Sequence, residues 1–178
     1  MNYLEPFAFI GARFILGALS LLPVIWYLQR QETAAGPGIG YLVYASCVLG
    51  TILFAASSFQ QVGLLYTTAS NAGFITGMYM VFVPIFGLML GMATSLVTWL
   101  GCIVAAIGLF MLGVNDQYRM GYGDLLQLAG AGIWALHILA IDHFTKHAPG
   151  VQLACGQFVV CAALGILVSA GFAGETTT

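Results

Sequence analysis

The stretch GLLYTTASNAGFITGMYMVFVPIFGLMLG, Gly63 to Gly91, decides the fold. It contains no Asp, Glu, Lys or Arg, and it lies inside a longer charge-free run between Thr33 and Asn115. One bilayer crossing needs about 20 apolar residues, so that run holds several. The 178-residue chain agrees with this reading: 61% is hydrophobic and 6% is charged, against roughly 25% charged in a soluble domain. Ten charges cannot cover a soluble fold of this size. A water-soluble enzyme is excluded, and so is a nucleic-acid binder, which needs a basic face. The apolar runs are continuous, so an outer-membrane barrel with alternating ten-residue strands does not fit either. Backbone polar groups in lipid must be satisfied within the segment, which makes these segments helices.

Six apolar segments are expected, at about 6–28, 39–66, 72–90, 96–114, 124–144 and 151–172. Polar or Gly/Pro-rich stretches separate them: QRQETAAGPG from Gln29, TTASN from Thr67, GMATS from Gly91, the 115–123 loop, and Pro149-Gly150. TTASN offers several helix-capping side chains. Arg30 and Lys146 fall on one set of loops and Arg119 on the other, which favours both ends facing outward. A faint internal echo lays Gly11–Ala18 on Cys155–Ala162, with Arg13 opposite Gln157 and Phe14 opposite Phe158.

Intramembrane polar side chains are costly and mark functional candidates. Arg13 is the one charge well inside an apolar segment; it suits a carboxylate or carbonyl end of a solute, or snorkels to the interface. Gln60, Gln61 and Asn71 offer amides to a solute or to a neighbouring helix. Trp134 and His137 are three apart and share a helix face, where His137 suits a proton-coupling role. Gln157 is the repeat counterpart of Arg13, and Tyr79 stands where a cavity accepting apolar solutes is expected. Gly73 and Gly77 form a close-packing pair, and Pro84 is expected to bend its helix and free a carbonyl. His143 and His147 have metal-capable i,i+4 spacing but no third ligand, and the cysteines read as small buried hydrophobes, so no metal is expected. No phosphate-binding motif appears, so no cofactor is expected and any transport is secondary.

Several of these stretches resemble the EamA-type branch of the drug/metabolite transporter superfamily. Pro6 with Arg13, the Gly63–Gly91 stretch with its bend and central Pro, WLGCIVAAIGLFMLG at Trp99–Gly113, and Gly123-Asp124-Leu125-Leu126 through Trp134 carry the likeness. The GMATS turn departs from it, because the family often carries a charge there. The resemblance implies a five-plus-five inverted-repeat helical bundle. Residues 1–114 would then hold four helices of the first repeat, 115–123 a linker loop, and 124–178 the first two helices of the second. The first helix and the last three of that fold would be absent. The expectation is an all-α membrane protein, a fragment of a secondary transporter exporting metabolites, amino acids or drugs from a bacterial inner membrane. Its partners would be the lipid bilayer and a small-molecule substrate. The alternatives are a non-transporting membrane scaffold and a cofactor-binding membrane subunit using His137 and His143, whose spacing of six does not share a helix face.

Overall fold

The computed structural model describes residues 6–30, 38–113 and 121–175. Every element among them is an α-helix: α1 (Pro6–Gln29), α2 (Ile39–Gly63), α3 (Ala69–Gly77), α4 (Tyr79–Met89), α5 (Leu96–Gly113), α6 (Tyr122–Thr145) and α7 (Gly150–Glu175). Five segments are long and apolar enough to cross a bilayer, with α3 and α4 together forming one of them, Ala69–Met89. Leu96–Gly108 of α5 is a shorter apolar stretch. The protein is thus an all-helical membrane bundle, as its composition demands. The loops expected at 31–37 and 114–120, with Arg119, lie outside the described residues.

The third expected segment, 72–90, is not one continuous helix. The regular ladder lapses at Met78, whose N–H bonds to Ile75 O at 3.1 Å, a tighter i→i−3 turn. Met78 keeps right-handed helical angles, so the chain continues in the same sense. Pro84 lies six residues on, and its missing N–H and its ring act on the Met80 carbonyl, four residues back and two past the lapse. At the other end of this segment Thr68 caps α3 by accepting the Asn71 N–H at 3.2 Å.

Two compact units divide the chain: Met1–Phe54 with Ala140–Thr178, and Ala55–Leu139. The divisions fall inside α2 and α6. In the first unit α1 and α7 run antiparallel. Phe14 and Phe158 meet with ring centroids 5.3 Å apart. The Cys155 thiol lies 3.8 Å from the Ala18 carbonyl. A Cβ built on Gly11 would lie 3.6 Å from the Ala162 carbonyl. These are the two blocks whose sequences echo each other. Exchanging them maps the Ala18–Cys155 contact onto Ala162–Gly11 and returns Phe14–Phe158 to itself, the reciprocity of a local two-fold axis.

Glycine permits these approaches. At Gly165 a Cβ would stand 3.0 Å from the Gly11 nitrogen, and at Gly50 one would stand 2.5 Å from the Val160 Cβ. At Gly156 it would collide with the Ser46 hydroxyl. Lipid gives no hydrophobic drive between helices, so close backbone contact is the main source of association. Beside these contacts Ala45, Leu49, Phe144, Ala148 and Leu153 form a buried cluster.

Replacing Gly50 with valine forces Val160 and the Gln157 carbonyl away. Overpacking of this kind costs about 1–3 kcal/mol. Gly132 has nothing within 4 Å of an added Cβ. Unfolding in mixed micelles with increasing SDS is therefore expected at lower SDS for Gly50→Val and Gly165→Val, and unchanged for Gly132→Ala.

Candidate functional site

The second unit gathers the polar features around the end of α4. Gly91 takes a left-handed φ of 77°, which a glycine adopts without strain. The Met92 N–H bonds back to Gly87 O at 2.8 Å and the Gly91 N–H to Leu88 O at 3.0 Å. This pair of bonds closes the helix in a Schellman turn and brings Met92 back over Gly87. Three residues on, Ser95 caps α5. Its Oγ accepts the Thr98 N–H at 3.2 Å and lies 2.9 Å from Thr98 Oγ1.

Within α4, Pro84 leaves the carbonyl of Met80, four residues back, without its helical partner. The Cys102 thiol of α5 fills that place, with Sγ 3.2 Å from Met80 O. Cys102 was read as a small hydrophobe in the sequence. Its partner is visible only once α4 and α5 are side by side.

A cleft of about 600 Å³ opens here between α4, the α4–α5 turn, the start of α5, and α6. Met80, Val83, Pro84, Ile138 and Leu139 give it an apolar surface. Tyr79, Thr94, Ser95 and Thr98 add hydroxyls. Among the described residues no charged side chain lines it.

A second group of buried polar contacts ties α6 to α2 and α3. The Asp124 carboxylate accepts the Thr67 hydroxyl at 2.5 Å and the Gly121 N–H at 2.9 Å. The second bond reaches back from the third helical position to the residue before α6, half of a capping box, where a negative charge also suits the helix dipole. One turn on, Gln127 accepts the Thr76 hydroxyl at 3.1 Å and donates to the Gln60 carbonyl at 2.9 Å. Asp124 is 3% and Gln127 1% exposed. Close passage of Gly123 and Gly63 makes room for this ladder. In the sequence Asp124 marks only a segment boundary, and little sets Gln127 apart from its apolar neighbours. The one available signal was an i,i+3 polar pair at the start of an apolar helix.

The residues singled out from sequence scatter across these features. Tyr79 and Pro84 line the cleft. Gln60 serves the ladder through its main-chain carbonyl, and Gln61 is half-buried nearby in α2. Asn71 supplies a backbone N–H to the Thr68 cap. Trp134 and His137 meet edge to face with ring centroids 5.7 Å apart, and His137 is buried. The Trp134 indole nitrogen is buried without a hydrogen-bond partner among the described residues. Gly77 is buried beside the Met78 lapse, whereas an added Cβ on Gly73 meets nothing within 4 Å. In the other unit, Gln157 is 6% exposed. Arg13 lies on the exposed side of α1, its guanidinium carbon 4.7 Å from the Phe14 ring centroid and 5.8 Å from that of Phe9. His143 and His147 are neighbours at the end of α6, 6.1 Å between ring centroids. Among the described residues no group of three metal-ligating side chains forms.

Long apolar helices, one of them interrupted beside a proline, and a cleft without charge define an integral multi-pass membrane protein. Residues 1–114 match the EamA-like transporter family. The chain belongs to that family. An "Uncharacterized transporter" of Archaeoglobus fulgidus is 31% identical over 190 aligned residues, covering 100% of this chain and 52% of the relative. A second "Uncharacterized transporter" of the same organism is 28% identical over 162 residues, covering 83% of this chain and 54% of the relative. The chain spans about half the length of the curated relatives it matches. No solved structure matches it.

The Thr67–Asp124 bond is charge-assisted and shielded, so its coupling exceeds that of an average interhelical bond, about 0.6 kcal/mol. A double-mutant cycle with Thr67→Val and Asp124→Ala, read by SDS unfolding, is expected to give a coupling of about 1–2 kcal/mol. Strict additivity would show that the bond adds nothing.

Proposed function

We propose that the chain is part of a secondary transporter that exports small metabolites, amino acids or drugs by alternating access across the cell (inner) membrane. The cleft of the second unit is its solute-facing surface. The observation that carries this reading is the coincidence of that cleft with a helix interrupted at Met78 and carrying Pro84 in its interior. Discontinuous helices supply polar backbone groups to solutes in transporters of this kind. Tyr79 is the solute contact among the residues expected from sequence, and Pro84 shares the lining with it.

The same proposal assigns 1–114 to four helices of one repeat, 115–123 to a linker, and 124–178 to the first two helices of an inverted second repeat. The reciprocal contacts about Phe14 and Phe158 support this assignment, because inverted repeats meet across just such an axis.

Flux through proteoliposomes carrying the full-length gene product tests the reading. Counterflow of at least one radiolabelled solute is expected from a panel of amino acids, organic cations and neutral metabolites. A Cβ on Gly87 would meet Met92 and Leu139 only at ordinary contact distances, 3.8 and 3.9 Å, so a larger residue fits the fold while occupying the cleft. Gly87→Val is expected to reduce flux about tenfold, the equivalent of about 1.4 kcal/mol, at unchanged protein level. Absence of flux across the whole panel would refute the proposal.

A further inference from the structure

The cleft carries more information than its volume. Its hydroxyls come from Tyr79, Thr94, Ser95 and Thr98, and none of the described side chains that line it is charged. In a membrane an ion entering such a surface loses hydration and gains no counter-charge, a cost of several kcal/mol or more. The lining therefore selects against net charge.

The second observation is the Met80 carbonyl. A helix interior normally consumes every carbonyl in its own ladder. Here Pro84 has removed the N–H that would bind Met80 O, and both residues line the cleft. What occupies the carbonyl is the Cys102 thiol at 3.2 Å. A thiol is a weak donor. A carbonyl also has two acceptor positions, so it retains capacity beside that contact. On α5, Cys102 lies one turn below Thr98, on the same helical face as the hydroxyl-bearing part of the lining.

We infer that this cleft binds a small uncharged solute carrying an N–H or O–H donor, and that the Met80 carbonyl freed by Pro84 is its acceptor, with the Cys102 thiol holding the place in the empty state. The inference rests on the cleft being the solute surface, and it narrows the solute to the neutral, donor-bearing members of the classes proposed above. The apolar part of the cleft takes an aliphatic body of a few carbons. The solute's amide or hydroxyl displaces the thiol from Met80 O, replacing a weak donor by a stronger one.

Four probes with the same branched aliphatic body separate these elements: isovaleramide, N,N-dimethylisovaleramide, isovalerate and isoamylamine. Binding is read by ligand-observed NMR on the full chain in phosphatidylcholine nanodiscs. Isovaleramide is expected to bind, and the dimethylamide, which lacks a donor, about fivefold more weakly, the value of one neutral hydrogen bond. The anion and the cation are expected to bind more weakly still. Cys102→Ala removes the competing thiol and is expected to tighten isovaleramide while leaving the dimethylamide unchanged. Pro84→Ala restores a backbone N–H that reclaims Met80 O, so the preference for the donor-bearing probe is expected to vanish. Gly87→Val fills the cleft and is expected to weaken both amides together. Equal binding of the two amides, the behaviour of a groove filled by acyl chains, would overturn the inference. So would stronger binding of either ion, or a donor preference that survives Pro84→Ala. Because binding in nanodiscs requires no flux, a chain that shows the donor preference but carries no solute refutes only the transport reading. A chain that transports without the donor preference refutes only this one.

Discussion

A backbone carbonyl in hydrocarbon has no water to fall back on, and this constraint organises the second unit. Proline at position 84 breaks one helical hydrogen bond, and the fold answers with a thiol from the next helix. The answer requires α5 to lie against α4 with Cys102 at the level of Met80. A reversal of direction in very few residues makes that possible. The left-handed Gly91 closes α4, and Ser95 starts α5. The cleft is what remains open beside these two helices, below their turn and against α6.

The opposite end of the unit is organised by a different economy. Asp124 and Gln127 satisfy groups from three other pieces of chain: the Thr67 hydroxyl, the Thr76 hydroxyl and the Gln60 carbonyl. Buried polar groups in lipid are tolerable only when fully paired. The glycines at 63 and 123 give this ladder its place by letting the backbones close to within the reach of short side chains. Thr76 joins the ladder two residues before the Met78 lapse, so α3 is held at its C-terminal end where its continuation into α4 changes register.

The helices themselves were legible because hydropathy in a membrane is a near-complete description of what lipid tolerates. Charge scarcity and segment length placed the five spans to within a few residues, while the crossing expected at 96–114 holds a shorter apolar stretch, Leu96–Gly108. The interruption at Met78 was not legible, since Pro84 announces a disturbance but not the residue at which the ladder yields. The candidate site was legible in part. Tyr79 and Pro84 reach the cleft, but Thr94 and Ser95 looked like ordinary turn chemistry, Thr98 was one more residue of an apolar segment, and Cys102 a space-filler. Their role comes from the neighbour each meets, and a pattern along one helix does not encode the face of another. Arg13 stood out for its charge alone, yet the structure gives it the Phe9 and Phe14 rings on the exposed side of α1.

The antiparallel meeting of α1 and α7 has a consequence for how the sequence can change. Most positions in a helix pair answer to a different residue across the interface. Phe14 and Phe158 answer to each other, each being the other's equivalent. A gain in ring volume at one is relieved only by a loss at its own counterpart, so the pair is constrained as a sum. Drift at this single point of the interface is therefore correlated by geometry, an increase in one block drawing a decrease in the other.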